Sequence, residues 1–175
     1  MNTARAVPAP VRRFMTTLAV VATDPMLFIR LWLAPTYVVT VNRNRTHQQA
    51  IEAGSYHRVD KHITSENFPM TGTGITTIRV KLVPFGHRRR VRNMQKILAW
   101  LGFRGLHLEE LLALGESNPR VRHQFAVLTL QSTWQDPHGN MTTPYLDRSS
   151  IGPELRLHDL ANKCAGDCRF AVTRN

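Results

Sequence analysis

The chain has 175 residues, 42% of them hydrophobic and three of them Trp, which suits one domain with a proper core and excludes a disordered chain. Its formal charge is +11, with Arg far outnumbering Lys, so an anionic partner is indicated, either nucleic acid or a membrane surface. Two cysteines, Cys164 and Cys168, exclude a disulfide scaffold and make a reducing, cytoplasmic compartment the default expectation.

The stretch VRRFMTTLAVVATDPMLFIRLWLAP opens like a signal peptide or twin-arginine leader, with Arg12 and Arg13 ahead of an apolar run. Asp24 and Arg30 interrupt the run, and no small-x-small cleavage site follows. A bilayer span needs about 20 mostly apolar residues, more than this stretch supplies unbroken. Residues 1–35 are therefore read as a poorly ordered extension without a membrane span, and residues 36–175 as one domain.

TYVVTVNR is β-branched and aromatic and predicts a strand from Tyr37 to about Val41. THQQAIEAGSY predicts a short helix, with Thr46 as its cap and Gly54 as its stop. HITSENFPMTGTG carries turn residues without a sustained period and reads as loop. ITTIRVKLV alternates, Ile78, Val80 and Leu82 on one side, Arg79 and Lys81 on the other, which predicts a half-buried strand.

After Pro84 and Gly86, Val91, Met94, Leu98 and Leu101 form an apolar stripe on a helix over 88–101, stopped by Gly102. A second helix is expected over Leu108–Leu114, ending at Gly115, with a brief third opened by Asn118-Pro119. FAVLTLQSTW then predicts one strand and DPHGN a turn. MTTPYL is its returning partner, with Pro144 confined to an edge or bulge. ELRLHDL and CRFAVT supply the last strands. The expected class is α+β, short helices with a small, mostly antiparallel sheet.

GFR followed by LEELLAL, Trp134 on a later strand, and the terminal RFAVTR together resemble the layout of C-type-lectin-like domains, in particular the formylglycine-generating-enzyme-like branch. The introducing phrase lacks that branch's Leu-Pro-Thr, and calcium-ligand segments of the Glu-Pro-Asn and Trp-Asn-Asp kind are absent. The body from about Thr36 to Arg174 also resembles a family of uncharacterised small bacterial proteins with a V-T-V…N-F-P opening. The lectin-like resemblance implies a carbohydrate or protein ligand held on loops 134–169. The branch's enzymes use a cysteine pair near the C-terminus, which makes an enzyme using Cys164 and Cys168 a further alternative.

No motif for catalysis or for a cofactor stands out. His158, Cys164, Asp167 and Cys168 are metal-ligand types, but one C-x3-C pair lacks the second pair that a structural zinc site uses, so no metal is expected. His57, Asp60 and His62 match no helical ligand spacing and read as a solvated loop. Glu109 and Glu110 are adjacent on a helix, point to different parts of its surface and suit its dipole. Trp100 and Phe103 are read as core, although aromatics there could stack on bases.

Charge is the stronger signal. Between Arg79 and Arg104 stand eight basic residues and no acid, and with the extension's Arg residues they account for the whole net charge. Arg79, Lys81, Arg88, Arg89, Arg92 and Lys96 are the candidate phosphate contacts, since GHRRRVR would oppose a helix dipole unless an anion lay close. The leading expectation is a non-enzymatic module that contacts nucleic acid or another polyanion.

Because the first strand follows Pro35, deletion through Ala34 is expected to leave a folded body. Limited proteolysis should trim the extension, and a truncated chain without cooperative melting would show that the extension belongs to the core.

Overall fold

The computed structural model describes residues 26–84, 91–163 and 167–174. The chain divides into two units, Met1–Leu33 and Ala34–Asn175. The described part of the first is a helix, α1 (Met26–Leu33), on which Met26, Ile29, Trp32 and Leu33 are exposed. Among the described residues no helix is long and apolar enough to cross a membrane.

The second unit is α+β. In chain order it runs β1 (Thr36–Asn42), α2 (His47–Ala53), β2 (Arg58–Val59), β3 (Ile75–Pro84), α3 (Val91–Trp100), β4 (Phe103–Gly105), α4 (Leu108–Ser117) and α5 (Pro119–Gln124). The remaining strands are β5 (Ala126–Leu128), β6 (Trp134–Gln135), β7 (Met141–Arg148), β8 (Pro153–Asp159) and β9 (Cys168–Arg174). They form one nine-stranded sheet in the order β1-β3-β9-β5-β7-β8-β2, with β4 added to β9 and β6 to β7. The sheet is mixed, because β5 runs parallel to β9 and β2 parallel to β8.

The small sheet expected from the sequence is thus replaced by a large mixed one. Three of the four shortest strands, β2, β4 and β6, are too brief to show alternation and arise where a long neighbour offers free hydrogen-bonding groups. FAVLTLQSTW is likewise two strands. The Thr143 hydroxyl donates to the carbonyls of Thr129 and Ser132, and the Ser132 hydroxyl accepts the Leu108 amide, which draws residues 130–133 off the ladder. Pro144 lies inside β7, between the point where β5 pairing ends at Tyr145 and β6 pairing begins at Thr142. A missing N–H costs nothing to either short strand there.

One face of the sheet carries the main core. Val39, Val41, Val80, Leu82, Val127, Leu146, Leu155 and Ala171 meet Leu108, Leu111, Leu112 and Leu114 of α4, with Ala50 and Ile51 of α2 alongside. Each fully buried Leu or Val contributes roughly 1.5–3 kcal/mol from water exclusion. α2 is started by a capping box: the Thr46 hydroxyl accepts the Gln49 amide while the Gln49 side chain accepts the Thr46 amide, and Gly54 ends the helix. On the opposite face Val83, Leu128, Phe170 and Val172 are buried, and α3, which packs against β4, adds buried Met94 and Leu98. Burial of Val83 departs from the single solvated side expected of β3.

Gly115 was expected to stop α4, yet the helix runs on to Ser117. The glycine serves close packing instead: a Cβ at 115 would lie 2.5 Å from the Tyr56 hydroxyl oxygen and 3.2 Å from Leu146 Cδ1. The Tyr56 ring is confined elsewhere too: a Cβ at 54 would lie 2.2 Å from its Cε2, and the Arg122 guanidinium lies 5.7 Å from its centroid. In an open helix, Gly→Ala would gain about 1 kcal/mol. Here overpacking reverses the sign, and Gly115→Ala is expected to cost roughly 1–3 kcal/mol in a urea melt.

Candidate nucleic-acid interface

The β1–β3–β9 end of the sheet positions the exposed cations. β1 and β3 pair antiparallel with Thr36 opposite Lys81, Val38 opposite Arg79 and Thr40 opposite Thr77. Facing residues share a side, so these six lie on the face away from α4. β3 continues to β9 with Lys81 opposite Val172, and alternation along β9 brings Arg174 to the same face. Thr36, Thr77, Arg79, Lys81, Phe103 and Arg174 line a cleft of about 600 Å³ there.

The cleft holds no carboxylate among its lining residues. Lys81 Nζ donates to the Ala34 carbonyl at 3.3 Å, and the Arg174 guanidinium stands 5.6 Å from the centre of the Phe103 ring. Neither contact neutralises a charge. Arg79 and Arg174 are exposed and Lys81 is half-buried, so three cations share one concave surface. Thr36 and Thr77 add neutral hydroxyls beside them.

Of the residues singled out from the sequence, Arg79 and Lys81 therefore come together, and Lys96 is exposed on α3. Arg88, Arg89 and the side chain of Arg92 lie outside the described residues. Arg174 was missed. The alternation of CRFAVTR hints at its side, but only the β3–β9 register shows that it joins Arg79 and Lys81.

Arg104, part of the same basic run, is used internally. Its guanidinium grips both oxygens of Glu110, at 2.7 and 2.8 Å, and Arg43 adds a third bond to Glu110 at 3.0 Å. Glu109 accepts the hydroxyl of Thr71 at 2.6 Å and its amide at 3.3 Å, with Arg43 Nε at 3.7 Å. The adjacent glutamates, expected to diverge on the helix surface, are both buried and both meet Arg43. The reason is tertiary: the Arg43 side chain, together with Arg104 and Thr71, brings donors over the start of α4 that satisfy two carboxylates at once. Burial alone would raise the Glu110 pKa, but the Arg104 hydrogen bonds, the His107 amide at 3.0 Å and the Arg104 charge outweigh it and hold it low. Arg104 is correspondingly raised, first by its hydrogen bond to Glu110.

The other candidates are dispersed. His57 is exposed, Asp60 accepts the His62 amide at 3.0 Å, and the His62 ring stacks on Trp134 with centroids 5.3 Å apart. Trp134 also leans on Phe68, which makes it a packing residue, while Trp100 is half-buried. His158 meets the Tyr145 ring edge-on, and Asp167 pairs with Arg148 at 3.2 Å. Cys168 is buried and disulfide-bonded, so its sulfur offers no thiolate; Cys164 lies outside the described residues. Among the described residues no three His, Cys, Asp or Glu side chains converge on a metal-sized site.

No family model, no curated protein and no solved structure matches this chain.

Glu110→Ala leaves Arg43 and Arg104 facing a buried gap, and a cost of about 3 kcal/mol is expected in chemical denaturation. A carboxylate held below its ordinary value of 4.5 stabilises fully above that pH, and the contribution is lost as pH falls through the lowered folded value. Stability measured from pH 6 downward should thus fall less steeply in Glu110→Gln than in the wild type, from about 4.5.

Proposed function

We propose that the protein is a non-enzymatic nucleic-acid-binding module that holds phosphates on the open β1–β3–β9 face. The observation that carries this reading is the cleft in which Arg79, Lys81 and Arg174 stand together without a carboxylate. Three like charges on one surface repel unless an anion shares them, and guanidinium forks match phosphate oxygens two at a time. Exposed hydroxyls of Thr36 and Thr77 suit the same oxygens, and contacts to phosphate oxygens carry no sequence information, so the reading is of sequence-tolerant contact. Lys96 is a further contact on α3, and Arg88, Arg89 and Arg92 follow β3 directly in the chain, so the reading includes them as well.

Fluorescence anisotropy with single- and double-stranded oligonucleotides at a series of salt concentrations tests this. Each phosphate neutralised contributes about −0.7 (single strand) to −0.9 (duplex) to the slope of log affinity against log salt. Replacing Arg79, Lys81 and Arg174 together by Ala should flatten that slope by roughly two to three units. Replacing Arg148 and Arg156, which already pair with Asp167 and Asp147, should leave it nearly unchanged. If the wild type binds neither DNA nor RNA at low salt, the reading fails, and a carbohydrate or protein ligand on loops 134–169 takes its place.

A further inference from the structure

We infer that β1 is a homodimerisation edge, along which two copies pair antiparallel into one continuous sheet. The pairing follows from edge geometry. Its use, carrying one phosphate-contacting face across two copies, rests on the reading above.

Among the described residues β1 is the terminal strand of the sheet and pairs only with β3. At either end of that ladder, the Leu82 amide donates to the Pro35 carbonyl and the Arg43 amide to the Gly74 carbonyl. Residues 35 and 43 are therefore hydrogen-bonded positions, and the two-residue repeat of an antiparallel ladder assigns 37, 39 and 41 to the same set. Thr36, Val38, Thr40 and Asn42 must then direct their amides and carbonyls outward. Among the described residues nothing receives them.

Proteins guard such edges with charge, proline, bulges or brevity. TYVVTVN has seven residues, no charge and no proline, and it pairs with β3 in unbroken register. Val38 on this edge is 65% exposed.

A second copy fits the edge on its own terms. With the twofold axis at Val39, Thr36 faces Asn42 and Val38 faces Thr40 of the other copy, so all four outward amides and all four carbonyls are used. On the outer face the exposed β-branched side chains of Val38 and Thr40 then meet across the seam, a favourable cross-strand pairing. The charge pattern also permits it. Each Arg79 lies in line with Thr77 of the second copy, three strand spacings or about 14 Å away, beyond the screening length of about 8–10 Å. Both basic clefts end on the same side of the joined sheet.

Light scattering on the purified full chain, without nucleic acid, should give a mass near twice 19.9 kDa. Thr40→Pro removes an outward amide that has no partner among the described residues, and Val38→Lys adds an edge charge. Both should be monomers that still melt cooperatively. The Arg79→Ala, Arg174→Ala double variant should remain a dimer, which separates this proposal from the phosphate reading. Amide exchange at Thr36, Val38, Thr40 and Asn42 should slow as protein concentration rises, while Tyr37, Val39 and Val41 stay protected throughout. The inference is overturned by a wild-type monomer at high concentration, by a dimer that survives both edge variants, or by a monomer whose edge binds a Glu-rich extended peptide.

Discussion

A carboxylate that water does not reach, Glu110 at the first turn of α4, holds the body of this protein in register. Two guanidiniums and the His107 amide close around it, and Arg43 bridges onward to Glu109, which Thr71 also binds. Four separate segments thus meet: the chain after β1, the loop before β3, β4 and the start of α4. An ion cluster of this kind is poor evidence for net stability, because desolvation offsets much of the attraction. Its consequence is positional. Donors and acceptors must all arrive together or a buried charge is left alone, so α4 can settle over the sheet in only one way, and its leucines fall onto Val39, Val80 and Leu82.

That placement decides where the remaining charge goes. With α4 and α2 covering one face of β1 and β3, the polar half of each strand turns to the other. α3 contributes Met94 and Leu98 on the β4 side, where Phe170 and Val172 are buried, and the β1 end stays open. Arg104 is withdrawn into the buried cluster, whereas Arg79, Lys81 and Arg174 are left together in the cleft. One short basic stretch of chain therefore divides into a structural cation and surface cations. The division depends on side-chain direction along β3 and β4, not on residue type.

The strand order also leaves β1 at one end of the described sheet. β3 has β1 on one side and β9 on the other, while β4 and β5 share the far side of β9. Among the described residues every strand after β3 is added away from β1.

Alternation of apolar and polar residues was enough to place β3, β-branched and aromatic content to place β1, and Thr46 as a cap to start α2, because these depend on neighbours within a few positions. The clustering of cations after Arg79 was visible for the same reason. What could not be seen is whatever depends on residues far apart in the chain. Gly115 looked like a helix stop until Tyr56 was found against it, and Glu109 and Glu110 looked like a surface pair until Arg43 arrived from 67 positions away. Arg174 joined the cleft through the β3–β9 register, and β2, β4 and β6 exist only where longer strands offer them partners. Local preference is written along the backbone, but burial, ion pairing and strand order arise when distant segments compete for the same space and the same hydrogen bonds.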